Sequence, residues 1–184
     1  MVYLPYIVKA LEKFYLHDKF LIESSKPPQH EDTFTFRLAD YIKDEVEGLN
    51  NGMDIDCQYR RMMVSSSVAD NKTVRRNGKD VVIRPDIIYH KRGTNLCNKN
   101  GFIIEVKRGA SNGDIRKVCD EVYSLKYGVG FCLYGFNKDT VNVAVIEIEK
   151  EINQQQRIAN IYKYKYTIGC GLTKVSTRIY KLKN

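Results

Sequence analysis

Apolar residues recur along the chain with two periods. Ile7, Leu11, Phe14 and Tyr15 share one face of a helical wheel, so residues 3 to 22 are expected to form a helix. Ser24-Ser25-Lys26-Pro27-Pro28 breaks it. A second helix is expected from about Gln29 to Glu47, with Phe34, Leu38, Tyr41 and Ile42 on one face and Gly48 and Asn50-Asn51-Gly52 as its stop. From Met53 to Val64 the period falls to two. Ile55, Cys57 and Tyr59 alternate with Asp54, Asp56 and Gln58, as in a half-buried strand. Residues 65 to 80 are polar and are expected to be a mobile loop.

Two β-branched runs follow, Val81-Val82-Ile83-Arg84-Pro85-Asp86-Ile87-Ile88-Tyr89 and Gly101-Phe102-Ile103-Ile104-Glu105-Val106-Lys107. Both read as strands, and the link from 90 to 100 suits a hairpin loop. Ser111-Asn112-Gly113-Asp114 has capping-box form and opens a helix that buries Ile115, Val118, Cys119, Val122 and Leu125, with Gly128 at its close. Val129 to Phe136 and Val141 to Ile148 read as buried strands. The charged, Gln-rich segment 149 to 161 is expected to be helical. Tyr164 to Ile168 and Val175 to Leu182 are final strands or a docking end.

This order predicts an α/β fold with a mixed central sheet, antiparallel at its first hairpin, with the later helix as a crossover. There are no repeats or low-complexity tracts. Residues 1–184 read as a single domain, with a helical extension over 1–28, a core over 29–148 and a C-terminal elaboration over 149–184.

Composition adds a partner class. The 184 residues carry 30 basic and 22 acidic side chains, a net charge of +8. That balance favours an acidic partner such as nucleic acid or an anionic membrane surface, and is equally that of a solvated basic face. Cys57, Cys97, Cys119, Cys132 and Cys170 are scattered and odd in number, which argues against a zinc site or a disulfide framework. Cys119 and Cys132 are expected in the core. The start, Met1-Val2-Tyr3-Leu4-Pro5, does not read as a signal peptide, and no stretch has the length of a membrane span. The expectation is a reduced, cytoplasmic protein with no membrane partner.

The candidate chemistry lies in the two runs. Strand alternation puts Glu105 and Lys107 on one face and Val106 on the other. Asp86 precedes Glu105 by 19 positions, room for a hairpin that sets it across from them. Unpaired charge inside apolar strands is expensive to bury, and a shared metal ion relieves that cost. Hard oxygen ligands without cysteine or histidine fit Mg²⁺ or Mn²⁺, with the Val106 backbone carbonyl as a further ligand. Lys107 would then hold or deprotonate a water that attacks a phosphodiester. A Glu-x-Lys triplet is also common on solvated strands, and a Pro-Asp step is usually a turn. The combination, in this order and ahead of a capped helix, is more specific than either part.

Pro85-Asp86 followed by Glu105-Val106-Lys107 resembles the motif of the PD-(D/E)xK nuclease superfamily, which has the restriction-endonuclease-like fold. The resemblance covers roughly residues 29 to 136 and extends to small bacterial members through Gln58-Tyr59-Arg60-Arg61, Pro85 to Gly93, and Asp114-Ile115-x-Lys117. It implies a metal-dependent nuclease acting on nucleic acid, expected to be DNA. Asp86, Glu105, Lys107 and Glu31 would be the catalytic set, and Asp86, Glu105 and Val106 the metal ligands. Glu31 would be an acid from the first core helix, although an acid there also complements the helix dipole. Asp32 and Asp40 are weaker matches. Gln58 stands where the pattern expects a glutamate, so a metal role there is in doubt, but it could hydrogen-bond a metal-bound water.

Arg61, Arg75, Arg76, His90, Arg92 and Lys117 are the candidate nucleic-acid contacts, although residues such as Arg61, His90, Arg92 and Lys117 are more often plain surface residues. Lys72 and Arg75-Arg76-Asn77-Gly78-Lys79 form a basic stretch that could track a nucleic-acid backbone or be a solvated tip. Tyr162, Tyr164 and Tyr166 alternate with Lys163 and Lys165. That suits either base stacking with phosphate contacts or an amphipathic strand with its tyrosines inward. Beside the nuclease stand two alternatives. One is an inactive nuclease-fold module that binds nucleic acid or a protein partner, and the other is a subunit whose partner supplies the chemistry. Cutting both strands of a duplex would favour a homodimer.

Overall fold

The computed structural model describes residues 1–23, 31–49, 51–58, 61–65, 68–76, 79–93, 100–109, 112–149 and 157–182, without the side chains of 23, 31, 61–65, 68–71, 75, 76 and 157. Helices α1 (Leu4–His17), α2 (Phe20–Glu23) and α3 (Glu31–Glu47) open the chain. Strands β1 (Asp54–Cys57), β2 (Arg61–Ser65), β3 (Val68–Asn71), β4 (Thr73–Arg76), β5 (Lys79–Val82), β6 (Ile87–His90) and β7 (Asn100–Lys107) follow. Then come α4 (Asn112–Leu125), β8 (Val129–Tyr134), β9 (Thr140–Ile148), β10 (Arg157–Thr167) and β11 (Gly171–Leu182).

Seven strands form one sheet in the order β1-β6-β7-β8-β9-β10-β11. Only β7 and β8 run parallel, and α4 is the crossover between them; every other neighbouring pair is antiparallel. The fold is therefore mixed α/β, as the order of elements predicts.

The two faces of the sheet bury different residues. On one, Ile87, Tyr89, Phe102, Ile104 and Val106 pack with the buried stripes of α1 and α3, including Ile7, Leu11, Phe14, Leu38 and Ile42. On the other, Ile88, Ile103, Cys132 and Ala144 pack with Ile115, Val118, Cys119 and Val122 of α4. The apolar stripe expected of α4 is buried at every position named for it. α4 rides close to the sheet at Gly130, where an added Cβ would lie 2.4 Å from Val122 Cγ2 and 2.7 Å from Val118 Cγ1.

Several boundaries differ from expectation. The first helix breaks after His17, where the Asp18 carboxylate turns to accept from Tyr41 (2.6 Å) and Arg37 Nε (3.1 Å) on α3. The expected strand from Met53 to Val64 is two. β1 pairs with β6, Gln58 takes a positive φ of 50°, and β2 pairs with β3 in a separate ribbon. The polar stretch 65 to 80 is not a loop throughout, since it supplies β3, β4 and the start of β5, and β4 pairs with β5 in a second ribbon. The run holding Arg84-Pro85-Asp86 is also interrupted. β5 ends at Val82 and β6 starts at Ile87, because Pro85 has no N–H for a ladder and the two strands belong to different sheets. Residues 157 to 161 are strand rather than helix, and the final two strands are longer than expected. Ser111, the expected N-cap of α4, and Cys97 lie outside the described residues. No described helix is long and apolar enough to cross a membrane.

Candidate functional site

β6 and β7 bring the two motifs together. Their register sets Ile87 opposite Ile104 and Ile88 opposite Ile103, so Asp86 lies just before β6 beside Glu105 and Val106. The Val106 N–H donates to Asp86 Oδ2 at 2.8 Å, which fixes the carboxylate against the strand. This bond uses the N–H of Val106 and not its carbonyl. Gln58 N–H donates to the Asp86 carbonyl at 2.9 Å and ties the segment to β1.

Glu105 and Lys107 share the face that packs under α4, as alternation requires, and Val106 joins the opposite core. Lys107 Nζ lies 3.4 Å from both Asp86 Oδ2 and Glu105 Oε2. Lys117, from the second turn of α4, donates to Glu105 Oε1 at 2.8 Å and lies 3.8 Å from Glu121 Oε1. The four residues Asp86, Glu105, Lys107 and Lys117 are thus one cluster of alternating charge.

Glu105 has a side-chain exposure of 1 %, and its Oε2 makes no hydrogen bond among the described residues. Burial, and after it the Asp86 charge, raises the Glu105 carboxyl above the usual carboxylate range, against the pull of Lys117 and Lys107. The site combines a half-buried carboxylate, a deeply buried one whose Oε2 faces Lys107 without a hydrogen bond among the described residues, and two ammonium groups. Such a set can hold a hard cation or orient a polar ligand. The described residues contain no group of three or more His, Cys, Asp or Glu placed to share one ion.

The remaining candidates divide. Glu31 opens α3, but its side chain lies outside the described residues, as do those of Arg61 on β2 and Arg75 and Arg76 on β4. Asp32, the next residue on α3, hydrogen-bonds Gln58 Nε2, so the first turn of α3 reaches the strand end that carries the site. This bond engages the Gln58 amide with a protein carboxylate.

His90 and Arg92 stand apart from the carboxylates. His90 is four residues beyond Asp86, about 13 Å at about 3.3 Å per strand residue. Its Nε2 lies 2.9 Å from Asp56 Oδ2, and Arg92 donates to both Asp56 oxygens, with Nε at 2.9 Å from Oδ2. Burial lowers the His90 imidazole pKa, opposed by Asp56. Burial also works against the Asp56 charge, but the hydrogen bonds from Arg92 and His90 outweigh it and hold that carboxyl below its ordinary range.

Lys72, read in the sequence as part of a basic loop, is instead 5 % exposed. Its Nζ donates to Tyr127 Oη at 3.2 Å, and burial lowers its pKa to about 8. Lys72 is therefore buried between β3 and β4 rather than on an exposed basic tip.

Glu121 and the Gln58–Asp32 contact are among the features that escaped the sequence. Glu121 is fully buried on α4, and its signal was its place on the apolar stripe, one turn after Lys117 and beside Val118 and Val122. The Gln58–Asp32 contact had no local signal. Comparison with protein families, with curated proteins and with solved structures returns no match to this chain.

Proposed function

We propose that the protein is a metal-dependent nuclease of the PD-(D/E)xK type, with a restriction-endonuclease-like core, hydrolysing phosphodiester bonds in nucleic acid, DNA being the expected substrate. The observation that carries this reading is the convergence of Asp86, Glu105 and Lys107 on one sheet face, with Glu105 Oε2 buried and without a hydrogen bond among the described residues. The resemblance of Pro85-Asp86 and Glu105-Val106-Lys107 to that superfamily's motif supports it.

The donor set suits Mg²⁺ or Mn²⁺, since it offers carboxylate oxygens and no soft ligand. Asp86 and Glu105 would hold the ion, with Glu31 and the Val106 carbonyl as further oxygens. When bound, the ion lowers the pKa of a water and stabilises charge on a phosphoryl oxygen. In this reading Lys107 leaves the carboxylates to the cation and turns its ammonium to the attacking water or to a phosphate oxygen. Lys117 stays on Glu105 Oε1 and fixes its orientation. The Val106 N–H does the same for Asp86.

A second reading has its own observation. Lys107 and Lys117 already neutralise both carboxylates, as in a nuclease-fold module that binds nucleic acid or a protein without cutting. One experiment separates the two. The purified chain is incubated with linear, branched and single-stranded DNA in Mg²⁺ or Mn²⁺, beside Asp86→Ala and Lys107→Ala, and Mn²⁺ binding is measured by calorimetry. The nuclease reading expects cleavage that both substitutions abolish and Mn²⁺ binding that Asp86→Ala removes. No cleavage and no Mn²⁺ binding would leave the binding module.

A further inference from the structure

The last strands extend the site sideways. Lys107 registers with Tyr134 on β8, Tyr134 with Asn142 on β9, and Asn142 with Lys165 on β10. The neighbouring row runs Glu105, Cys132, Ala144, Lys163 and Ser176. The next ends on Arg178, opposite Ile161. Directly opposed residues point to the same face of a sheet. Lys163, Lys165 and Arg178 therefore share the face of Glu105 and Lys107.

The alternation of tyrosine and lysine on β10 resolves accordingly. Tyr162, Tyr164 and Tyr166 pack toward α1 and α3, and Lys163 and Lys165 project from the opposite face. Across β8 to β11 the residues on the lysine face include three cations and no carboxylate: Tyr134 and Cys132 from β8, Asn142 and Ala144 from β9, Lys163 and Lys165 from β10, Thr173, Ser176 and Arg178 from β11. Two acids of α4 act on residues of this face, Asp114 on Cys132 and Asp120 on Tyr180. Burial and then Arg178 lower the Lys163 pKa, in keeping with the closeness of the two cations on this face. Lys165 and Arg178 are exposed, while Tyr134, Asn142 and Lys163 are half-buried.

We propose that this row is a track for the sugar-phosphate backbone of the nucleic acid that enters the site. The inference rests on the nuclease-fold reading and adds to it where the substrate lies. β10 is three strands from β7, about 14 Å at about 4.8 Å per strand, and β11 is about 19 Å away. At about 3.4 Å per base step of duplex, Lys163 and Lys165 meet phosphates about four steps from the carboxylates. Phosphate contacts of this kind position the ligand and do not read its sequence.

β11 carries its own control. Lys174 registers with Tyr164, and Lys181 with Ile158, so both belong to the opposite face; Lys174 stacks over the Tyr162 ring at 5.5 Å. All four of Lys165, Arg178, Lys174 and Lys181 are exposed, so neither pair is a core substitution.

The test compares the full chain with Lys165→Gln/Arg178→Gln and with Lys174→Gln/Lys181→Gln, which remove equal charge. Binding of a fluorescent DNA duplex is followed by anisotropy, without divalent metal, over a salt series. The Lys165/Arg178 pair is expected to raise Kd roughly tenfold or more and to flatten the slope of log K against log salt by about 1.8, at about 0.9 per phosphate contact. The control pair is expected to leave the slope unchanged. Equal effects from the two pairs would reduce the row to net charge and overturn the proposal. So would no effect from either, as for a face that receives a protein. Cleavage assays keep the two readings separate. Loss of activity in Asp86→Ala with unchanged KM in Lys165→Gln/Arg178→Gln would sink the track and spare the nuclease. Absence of cleavage in the wild type would sink the nuclease, and the anisotropy slopes would still judge the track.

Discussion

Lys72→Met is expected to make the protein more stable at neutral pH and less stable at high pH. Lys72 is 5 % exposed, with Tyr127 Oη at 3.2 Å and the Tyr127 ring centroid at 5.4 Å. Burial lowers its pKa from 10.5 to about 8, against the pull of Asp56. Between those values the unfolded chain holds the proton and the folded protein has released it, so stability rises with pH across that window. Below the folded value the full penalty of the buried charge is present. At about 1.36 kcal/mol per pH unit, it is on the order of 3 kcal/mol. Methionine fills the same volume without a charge. It also leaves the Tyr127 hydroxyl short of one donor, which costs about 1–2 kcal/mol at every pH. The variant should therefore exceed the wild type by about 1–2 kcal/mol at neutral pH and fall below it by about as much at the top of the window. Urea unfolding of both proteins at a series of pH values measures the difference. A difference that stays flat with pH would refute the assignment of a buried, destabilised charge to Lys72.

Other substitutions probe the site and its support. Gly130→Ala should lose about 1–3 kcal/mol in urea unfolding, because its methyl would press on Val118 and Val122, whose branched side chains have little room to turn aside. Lys117→Met should lose about 3–5 kcal/mol by leaving the Glu105 carboxylate buried with Lys107 as its remaining near cation, and adding Glu105→Gln should recover most of that. If the double variant is no more stable than Lys117→Met alone, the pairing across β7 and α4 is not what holds that helix.

The elements that were legible in the sequence are those whose period is set by burial. α4 and β7 through β9 pack one continuous core, and their apolar positions mark it. The convergence of Asp86, Glu105 and Lys107 was legible too, because strand alternation and a hairpin suffice to place them. The ribbons β2–β3 and β4–β5 were not. They are short, and their apolar residues sit side by side, as in Met62-Met63-Val64 and Val81-Val82, so no alternating apolar period announces them. The pair Asn77-Gly78 between β4 and β5 was the available signal, as a dipeptide suited to tight hairpin turns. The partners of His90 and Arg92 were out of reach for another reason. Asp56 lies 34 and 36 positions away from them, and nothing local shows that β1 pairs with β6 so as to bring it there.

Asp86, Glu105, Lys107, Lys117 and Glu121 all fall between residues 86 and 121. One hairpin and one crossover assemble these five. The cations of the sheet face come from a different stretch, Lys163 through Arg178. Insertions or exchanges in the final hairpin would thus alter what is presented to the carboxylates and leave their own register intact. The protein is modular within a single sheet: the carboxylate–lysine cluster and the cationic face can be varied one at a time.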